Sequence, residues 1–250
     1  MSTILLADIG NTHTHLGLAQ AGRITRRRDL PTRLWLDGLG QTALKDYLQQ
    51  HTLAGVAFCS VVPQVTPLLK KAIRDLLGLT AFELTHRTVG GIGIDYPQPH
   101  TIGPDRLANA LAVRHALGAP ALALDFGTAV TFDIINRRGN YAGGIIAPGL
   151  AVMTQYLHEK TALLPAIRIR EIDSCIGKST EQAMLIGAVH GYRGMIRELI
   201  AELKKEFRTR RLPIVATGGY AKLIAAKLPE INSVQPDLTL RGLLLAWGRR

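Results

Sequence analysis

Two short stretches carry a carboxylate, a glycine and hydroxyls in the same order. Asp8-Ile9-Gly10-Asn11-Thr12-His13-Thr14 and Asp125-Phe126-Gly127-Thr128-Ala129-Val130-Thr131 share an Asp-x-Gly and a Thr four residues past the Gly, at a constant offset of 117 residues (8 to 125, 14 to 131). Each follows an apolar run, residues 4–7 and 121–124, so each reads as a buried strand that turns at glycine. A glycine lets backbone approach a phosphate closely, a carboxylate can orient a divalent cation or its waters, and a hydroxyl can donate to a phosphate oxygen. Those are the parts needed to hold a metal-bound polyphosphate. Their duplication implies two similar halves facing one another.

A third carboxylate lies between the copies. Gly103-Pro104-Asp105-Arg106 opens the helical stretch 106–117, where Pro104 suits the first turn and Asp105 and Arg106 sit near the positive helix end. Phosphoryl transfer to a hydroxyl needs a carboxylate to accept the proton, and Asp105 is the candidate. A plain helix-start aspartate is the alternative that spacing leaves open. Other motifs fail on inspection. Gly177-Lys178-Ser179-Thr180 ends like a P-loop, but the position that must be glycine is Ile172. His13 and His15 lack the further ligand a metal site requires. The glycine-rich run from Val89 to Pro97 does not have dinucleotide-fingerprint order, and neither G-x-S-x-G nor H-E-x-x-H occurs.

The elements that must position these residues alternate strand and helix. Residues 3–9 read as a strand and 14–19 with 22–29 as a hairpin broken at Ala21-Gly22. A helix over 37–51 with Asp37 as N-cap precedes a strand over 56–62 and an amphipathic helix over 65–78 closed by Gly78. Strands over 120–126, 129–136 and 139–147 repeat the opening pattern. Residues 179–206 form the longest expected helix, with Ser179 and Gln182 as a capping box. Along it Ala183, Gly187 and Gly191 make a line almost without side chains, either an interface between subunits or domains or close packing on the protein's own sheet. A strand over 213–217, Gly218-Gly219 and helices over 220–227 and 238–247 complete the chain; the glycine pair suits a nucleotide lying on backbone or a tight turn equally. The repeat divides the chain into domains 1–117 and 118–250.

With 250 residues, 47% hydrophobic and 20% charged, the chain has the composition of an ordinary globular protein. No apolar run approaches the roughly 20 residues of a membrane span, and Asp8 and two histidines interrupt any signal-like start, which predicts a cytoplasmic protein and no membrane partner. Cys59 and Cys175 lack metal-ligand spacing and read as small buried hydrophobes. The net charge of +11 gathers at Arg26-Arg27-Arg28, around Lys204-Lys205 and at Arg249-Arg250. Aromatic residues are 5% and none interleaves with these clusters, so nucleic acid is not the expected partner.

Taken together, Asp8-x-Gly10-Asn11-Thr12, Gly103-x-Asp105-Arg106, Asp125-x-Gly127-Thr128-Ala129-x-Thr131-x-Asp133, Gly143-Gly144, Gly177-Lys178-Ser179-Thr180 and Thr217-Gly218-Gly219 resemble the signature segments of type III pantothenate kinases, in family order. The resemblance implies an α/β fold of two duplicated actin-like (ribonuclease H-like) domains with an ATP cleft between them. It implies ATP-dependent phosphorylation of pantothenate to 4'-phosphopantothenate, the first step of coenzyme A biosynthesis. By the same resemblance Asp8, Ile9, Gly10, Asn11, Thr12, His13, Thr14 and His15 would bind ATP with Thr128, and Asp8 would serve Mg²⁺. Asp105 would be the general base, with Tyr96, Gly103, Pro104, Arg106 and Thr180 around pantothenate, Thr180 reaching across a homodimer. Asp125 would hold a monovalent cation, K⁺ or NH₄⁺. Two departures stand out: His13-Thr14-His15 replaces a more usual apolar run, and Ser179 stands where Asn is common. The alternatives are a catalytically silent transcriptional accessory protein of the same fold and a kinase for another small hydroxyl compound.

Overall fold

The computed structural model describes residues 2–49 and 51–250. The chain divides into two compact units, Met1–Gly118 with Ile135–Ala142 and Asp237–Arg250, and Ala119–Ile134 with Gly143–Pro236. A single cut after Leu117 therefore differs from the observed grouping in two segments, and both have a packing reason given below.

The first unit is built on β1 (Thr3–Ile9), β2 (His13–Gln20), β3 (Arg23–Pro31), β4 (Leu53–Ser60) and β5 (Phe82–Glu83), in the sheet order β3-β2-β1-β4-β5. β1 pairs antiparallel with β2 and parallel with β4. Its Leu5, Leu6, Ala7 and Ile9 are all inaccessible, which is why the strand reads as a continuous apolar run rather than an alternating one. The β2–β3 turn has Ala21 and Gly22 both at positive φ (47° and 75°), the backbone a two-residue hairpin needs. β3 is an edge strand, and Arg26-Arg27-Arg28 lie on it. Charged side chains there oppose pairing with another chain. Arg26 also sits 5.1 Å from the Tyr47 ring, while the Tyr47 hydroxyl donates to the Arg26 carbonyl at 3.0 Å.

The helix expected over 37–51 is the shorter α2 (Gly40–Leu48), and a separate one-turn helix that was not expected, α1 (Arg33–Leu36), precedes it. Asp37 closes α1 instead of opening α2, and its carboxylate pairs with Arg33 at 3.2 Å. The break has a cause in packing: Trp35 is buried, and a Cβ at Gly40 would overlap its indole. Gln50, within the expected helix, lies outside the described residues. α3 (Thr66–Leu77) ends at Gly78 in the left-handed conformation (φ +63°), as the spacing predicts.

After β6 (Gly93–Ile94) comes α4 (Pro104–Leu117), which carries the Asp105 motif. The C-terminal helix Leu238–Trp247 packs directly on it. A Cβ at Gly242 would stand 2.0 Å from the Ala108 carbonyl oxygen, so the two helices approach as closely as glycine allows. The Thr239 hydroxyl donates to Asn109 Oδ1 at 2.9 Å in the same buried seam. Trp247 fills the space above Gly55 of β4. These contacts are why the last helix groups with the first unit.

The second sheet runs β11 (Ser233–Val234), β10 (Ile214–Thr217), β7 (Ala121–Phe126), β8 (Ala129–Ile135), β9 (Asn140–Pro148). β6 pairs in parallel with only the first two residues of β9, Asn140 and Tyr141, which is why residues 135–142 group with the first unit. α5 (Leu150–Lys160) has no counterpart in the sequence reading. Only Leu150 and Thr154 of it are buried, so its apolar residues make no inward stripe. The long helix is α6 (Thr180–Ile186) and α7 (Tyr192–Glu206), joined through one π-helical segment at Gly187–Gly191. Arg193 pins the irregular segment before α6. Its guanidinium forks onto both Glu171 oxygens (2.9 and 2.6 Å) and holds that carboxyl down to about 2. The turn of α8 (Ala221–Ala225) receives the remaining Arg193 donors at the Leu223 and Ile224 carbonyls. The C-terminal helix is α9.

Candidate active site

In the first unit, three strand and helix ends bring the chemistry together. Asp8 stands at the end of β1, directly across from Cys59 in the parallel β1–β4 register. The buried Cys59 thiol donates to Asp8 Oδ1 at 3.3 Å. Its pKa is pushed well above the ordinary thiol value, first by burial and then by the charges of Asp8 and Asp105, so it stays protonated and keeps donating. Both carboxylates are therefore close enough to act on one sulfur. A Cβ added at Gly103 would meet Asp105 Oδ1 at 2.6 Å and Val61 at 3.6 Å, which sets the start of α4 against the end of β4.

Asp105 occupies the first turn of α4 and accepts a hydrogen bond from the Arg106 backbone N–H at 2.8 Å. Burial raises its pKa above the usual carboxylate value, while the Arg106 N–H and guanidinium act in the opposite direction. A carboxylate so placed is a stronger base than one in water and remains held for ionisation. Arg106 lies 5.8 Å from the Tyr141 ring, and Tyr96 stands edge-on to the same ring at 6.3 Å. Tyr141 thus links two residues expected around a substrate. It was not legible beforehand, because the connection depends on β6 joining β9.

The segment after Asp8 divides by environment. Ile9 is inaccessible and packs in the core, leaving only its backbone for a ligand. The Gly10 N–H donates to the His13 carbonyl at 3.0 Å, closing a tight turn whose Asn11, Thr12 and His13 are exposed. Thr14 is buried with its hydroxyl 3.1 Å from that of Thr32, and Thr32 also donates to the Gly10 carbonyl at 2.7 Å. His15 pairs with Asp29 at 2.8 Å. The side chains of Thr14 and His15 are thus turned to partners within the sheet, while the 10–13 turn is presented outward.

In the second unit, Asp125 ends β7 opposite Thr217 of β10. Gly218 (φ +91°) lies so near that a Cβ there would stand 2.6 Å from Asp125 Oδ1 and from the Phe126 backbone. The glycine pair is thus a tight turn at Gly218, while Gly219 has nothing within 4 Å on its Cβ side. Gly127 and the exposed Thr128 form the turn into β8, and the Gly149 N–H donates to the Thr128 carbonyl at 3.0 Å. This turn is one residue shorter than its counterpart, since β2 starts five residues after Asp8 and β8 four after Asp125. Buried Thr14 therefore corresponds to buried Val130, and the sequence match of Thr14 with Thr131 does not survive into the structure. Thr180 is exposed at the first turn of α6, behind Ser179, which accepts from the Gln182 N–H at 3.2 Å. Gln182 returns a bond to the Lys178 N–H at 2.8 Å, one residue off the expected box.

The family model of type III pantothenate kinases matches residues 4–202. A type III pantothenate kinase of Methylacidiphilum infernorum (isolate V4) is 42% identical over 243 residues, covering 97% of this chain and 87% of the relative. Another from Akkermansia muciniphila is 44% identical over 252 residues and covers 98% of both. Among solved structures, the inorganic polyphosphate/ATP-glucomannokinase of Arthrobacter sp. strain KM superposes over 98% of each chain with a TM-score of 0.51 at 12% identity, a likeness of fold alone.

Proposed function

The chain belongs to the type III pantothenate kinase family, and on that premise we propose how its residues divide the work. The protein phosphorylates pantothenate from ATP, as the family does, on the way to coenzyme A. The single structural observation that carries the residue assignment is the convergence of Asp8, Cys59 and Asp105 at the ends of β1, β4 and α4. In this reading Asp105 accepts the proton of the attacking primary hydroxyl at its carboxylate. Its raised pKa suits that task, because a base is most effective when its pKa approaches the working pH. Arg106 faces the same hydroxyl compound and, with Tyr96 resting on Tyr141, orients it against the base. The Gly10–His13 turn receives ATP phosphates through backbone N–H groups, and the exposed Thr128 is a further ATP contact.

The donor set suits a divalent cation, in this reading Mg²⁺. Asp8 is one buried carboxylate beside an exposed turn, and among the described residues no group of three or more His, Cys, Asp or Glu side chains could cage an ion. Mg²⁺ characteristically keeps its waters and takes one or two carboxylates with phosphate oxygens. When bound, it neutralises charge on the phosphates. Asp125 would hold K⁺ or NH₄⁺; the missing Cβ of Gly218 leaves space beside its Oδ1. A homodimer completes the pocket with Thr180. In support, Gly187 and Gly191 of the line have nothing within 4 Å on their Cβ side. Ile146, Tyr156, Leu163 and Ile176 are also more than half exposed on the same unit. No described helix is long and apolar enough to cross a membrane, and the reading places the enzyme in the cytoplasm with its substrates.

The deciding experiment is mass-spectrometric detection of 4'-phosphopantothenate from purified protein, ATP, Mg²⁺ and pantothenate, with and without K⁺. Product that requires K⁺ supports the reading in full; product without any monovalent cation removes the Asp125 assignment, and no product under either condition refutes the activity.

A further inference from the structure

The glycine-rich run that the kinase site leaves unused borders a cleft of about 650 Å³ in the first unit, lined by Gly91, Ile92, Gly93, Leu111, Arg114, His115 and Arg249. Its floor is apolar, with Ile92 and Leu111 buried, and its walls carry two guanidinium groups and an imidazole. Arg114 Nη1 donates to the Gly91 carbonyl. Arg249 comes to the same residue from the segment after α9, and a Cβ at Gly91 would overlap its guanidinium. Gly91 adopts φ +89°, and a Cβ at Gly139 would stand 2.8 Å from Arg114 Nε. Glycines at both positions therefore make room for arginine side chains. No Asp or Glu lines the cleft. The nearest carboxylate in sequence, Asp95, is already engaged by Asn136 and Arg138 at 2.6 Å each. Two like charges gathered on one residue repel unless something of opposite sign sits between or beside them. Guanidinium forks are suited to doing so with phosphate, which they bind by paired N–H donors.

We propose that this cleft is a second anion site, taking a small polyphosphate or organic phosphate between Arg114 and Arg249. It is separate from the Asp105 region: Arg114 lies nine residues further along α4, about 14 Å at 1.5 Å per residue. The proposal gives the Val89–Pro97 loop and part of the +11 charge a common purpose, and it does not depend on the kinase assignment.

The probe is inorganic pyrophosphate, with sodium chloride at matched ionic strength as control. Titration calorimetry compares the natural protein with Arg249→Gln and with Arg114→Gln/Arg249→Gln, and hydrogen exchange locates the protection. Loss of one charged fork is expected to weaken binding about 10-fold or more, with exchange slowed around Gly90–Gly93. Arg249 is exposed beyond the last helix, so Arg249→Gln alone suffices if the double variant does not fold. Unchanged affinity in Arg249→Gln, or protection confined to the 10–13 and 127–128 turns, would overturn the proposal. Weakening equal to that produced by added chloride alone would do the same.

Discussion

Replacing Gly242 by Ala tests whether α9 sets the position of α4, which carries the proposed base. The new Cβ would stand 2.0 Å from the Ala108 oxygen, 2.5 Å from its carbonyl carbon and 2.8 Å from its Cα. These are backbone atoms inside α4 and cannot rotate away. Relieving them to an ordinary contact of about 3.3 Å requires the helices to part by about 1 Å or more. Forcing an extra methyl into a packed seam costs about 1–3 kcal/mol. In a protein of this size each kcal/mol lowers Tm by about 2–4 °C, so a fall of about 2–12 °C is expected. Asp105 opens α4 one turn before Ala108, so the same shift moves the proposed base. A misplacement near 1 Å can cost about 100-fold in rate. Calorimetry and steady-state kinetics on the same sample separate the two effects: kcat should fall well below the folded temperature limit while the KM for ATP changes little. A variant with unchanged Tm and unchanged kcat would show that α9 does not brace α4.

Asp105→Asn should lower kcat by about 10²–10⁴, the range for a lost general base, with nucleotide binding retained; full activity would remove the base assignment. The sign of its effect on stability is also fixed. Burial raises the folded carboxyl's pKa, so the folded state holds the proton more tightly than the unfolded chain, and stability is lost as pH rises through that window. Asp105→Asn should therefore be more stable than the natural protein at pH 7 and not at pH 3, as thermal melts at both values will show. Gly187→Leu places a large side chain on the open glycine line and should convert a dimer to monomer in sedimentation; an unchanged profile would mean the interface lies elsewhere. Gly218→Ala forces a side chain to φ +91° against Asp125, at a cost on the order of 1–3 kcal/mol, and should raise the K⁺ concentration needed for half-maximal activity. Unaltered K⁺ dependence would detach Asp125 from the cation.

What could be read in advance followed local rules. The Ala21-Gly22 hairpin, the Gly78 stop and Pro104 at the start of α4 are each decided by a few neighbouring residues. The place of Asp105 in the first turn of α4 was legible for the same reason. The misses have long-range causes. Cys59 is buried as expected, but its bond to Asp8, 51 residues away, depends on the parallel pairing of β1 and β4, and Cys175, also expected to be buried, is exposed. Trp35 claims the space over Gly40, so α2 starts there and not at Asp37, which closes a short helix of its own. α5 was missed although Val152, Met153, Tyr156 and Leu157 fall at helical spacing; in the structure these residues face outward. The Thr14–Thr131 match failed because a turn one residue shorter moves every later strand position to the next register.

The packing of α9 on α4 and β4 also sets an order of events in biosynthesis. The first unit has its sheet and α4 in hand by Gly118, yet the seam that holds α4 stays open until residues 237–250 have been made. At translation rates of about 5–20 residues per second, that interval is on the order of 10 s. Throughout it the apolar face of α4 and the space above Gly55 await Trp247 and its neighbours. The helix at 238–247 is thus the one that finishes the first unit, and Asp105 acquires its fixed position only after that helix has been made.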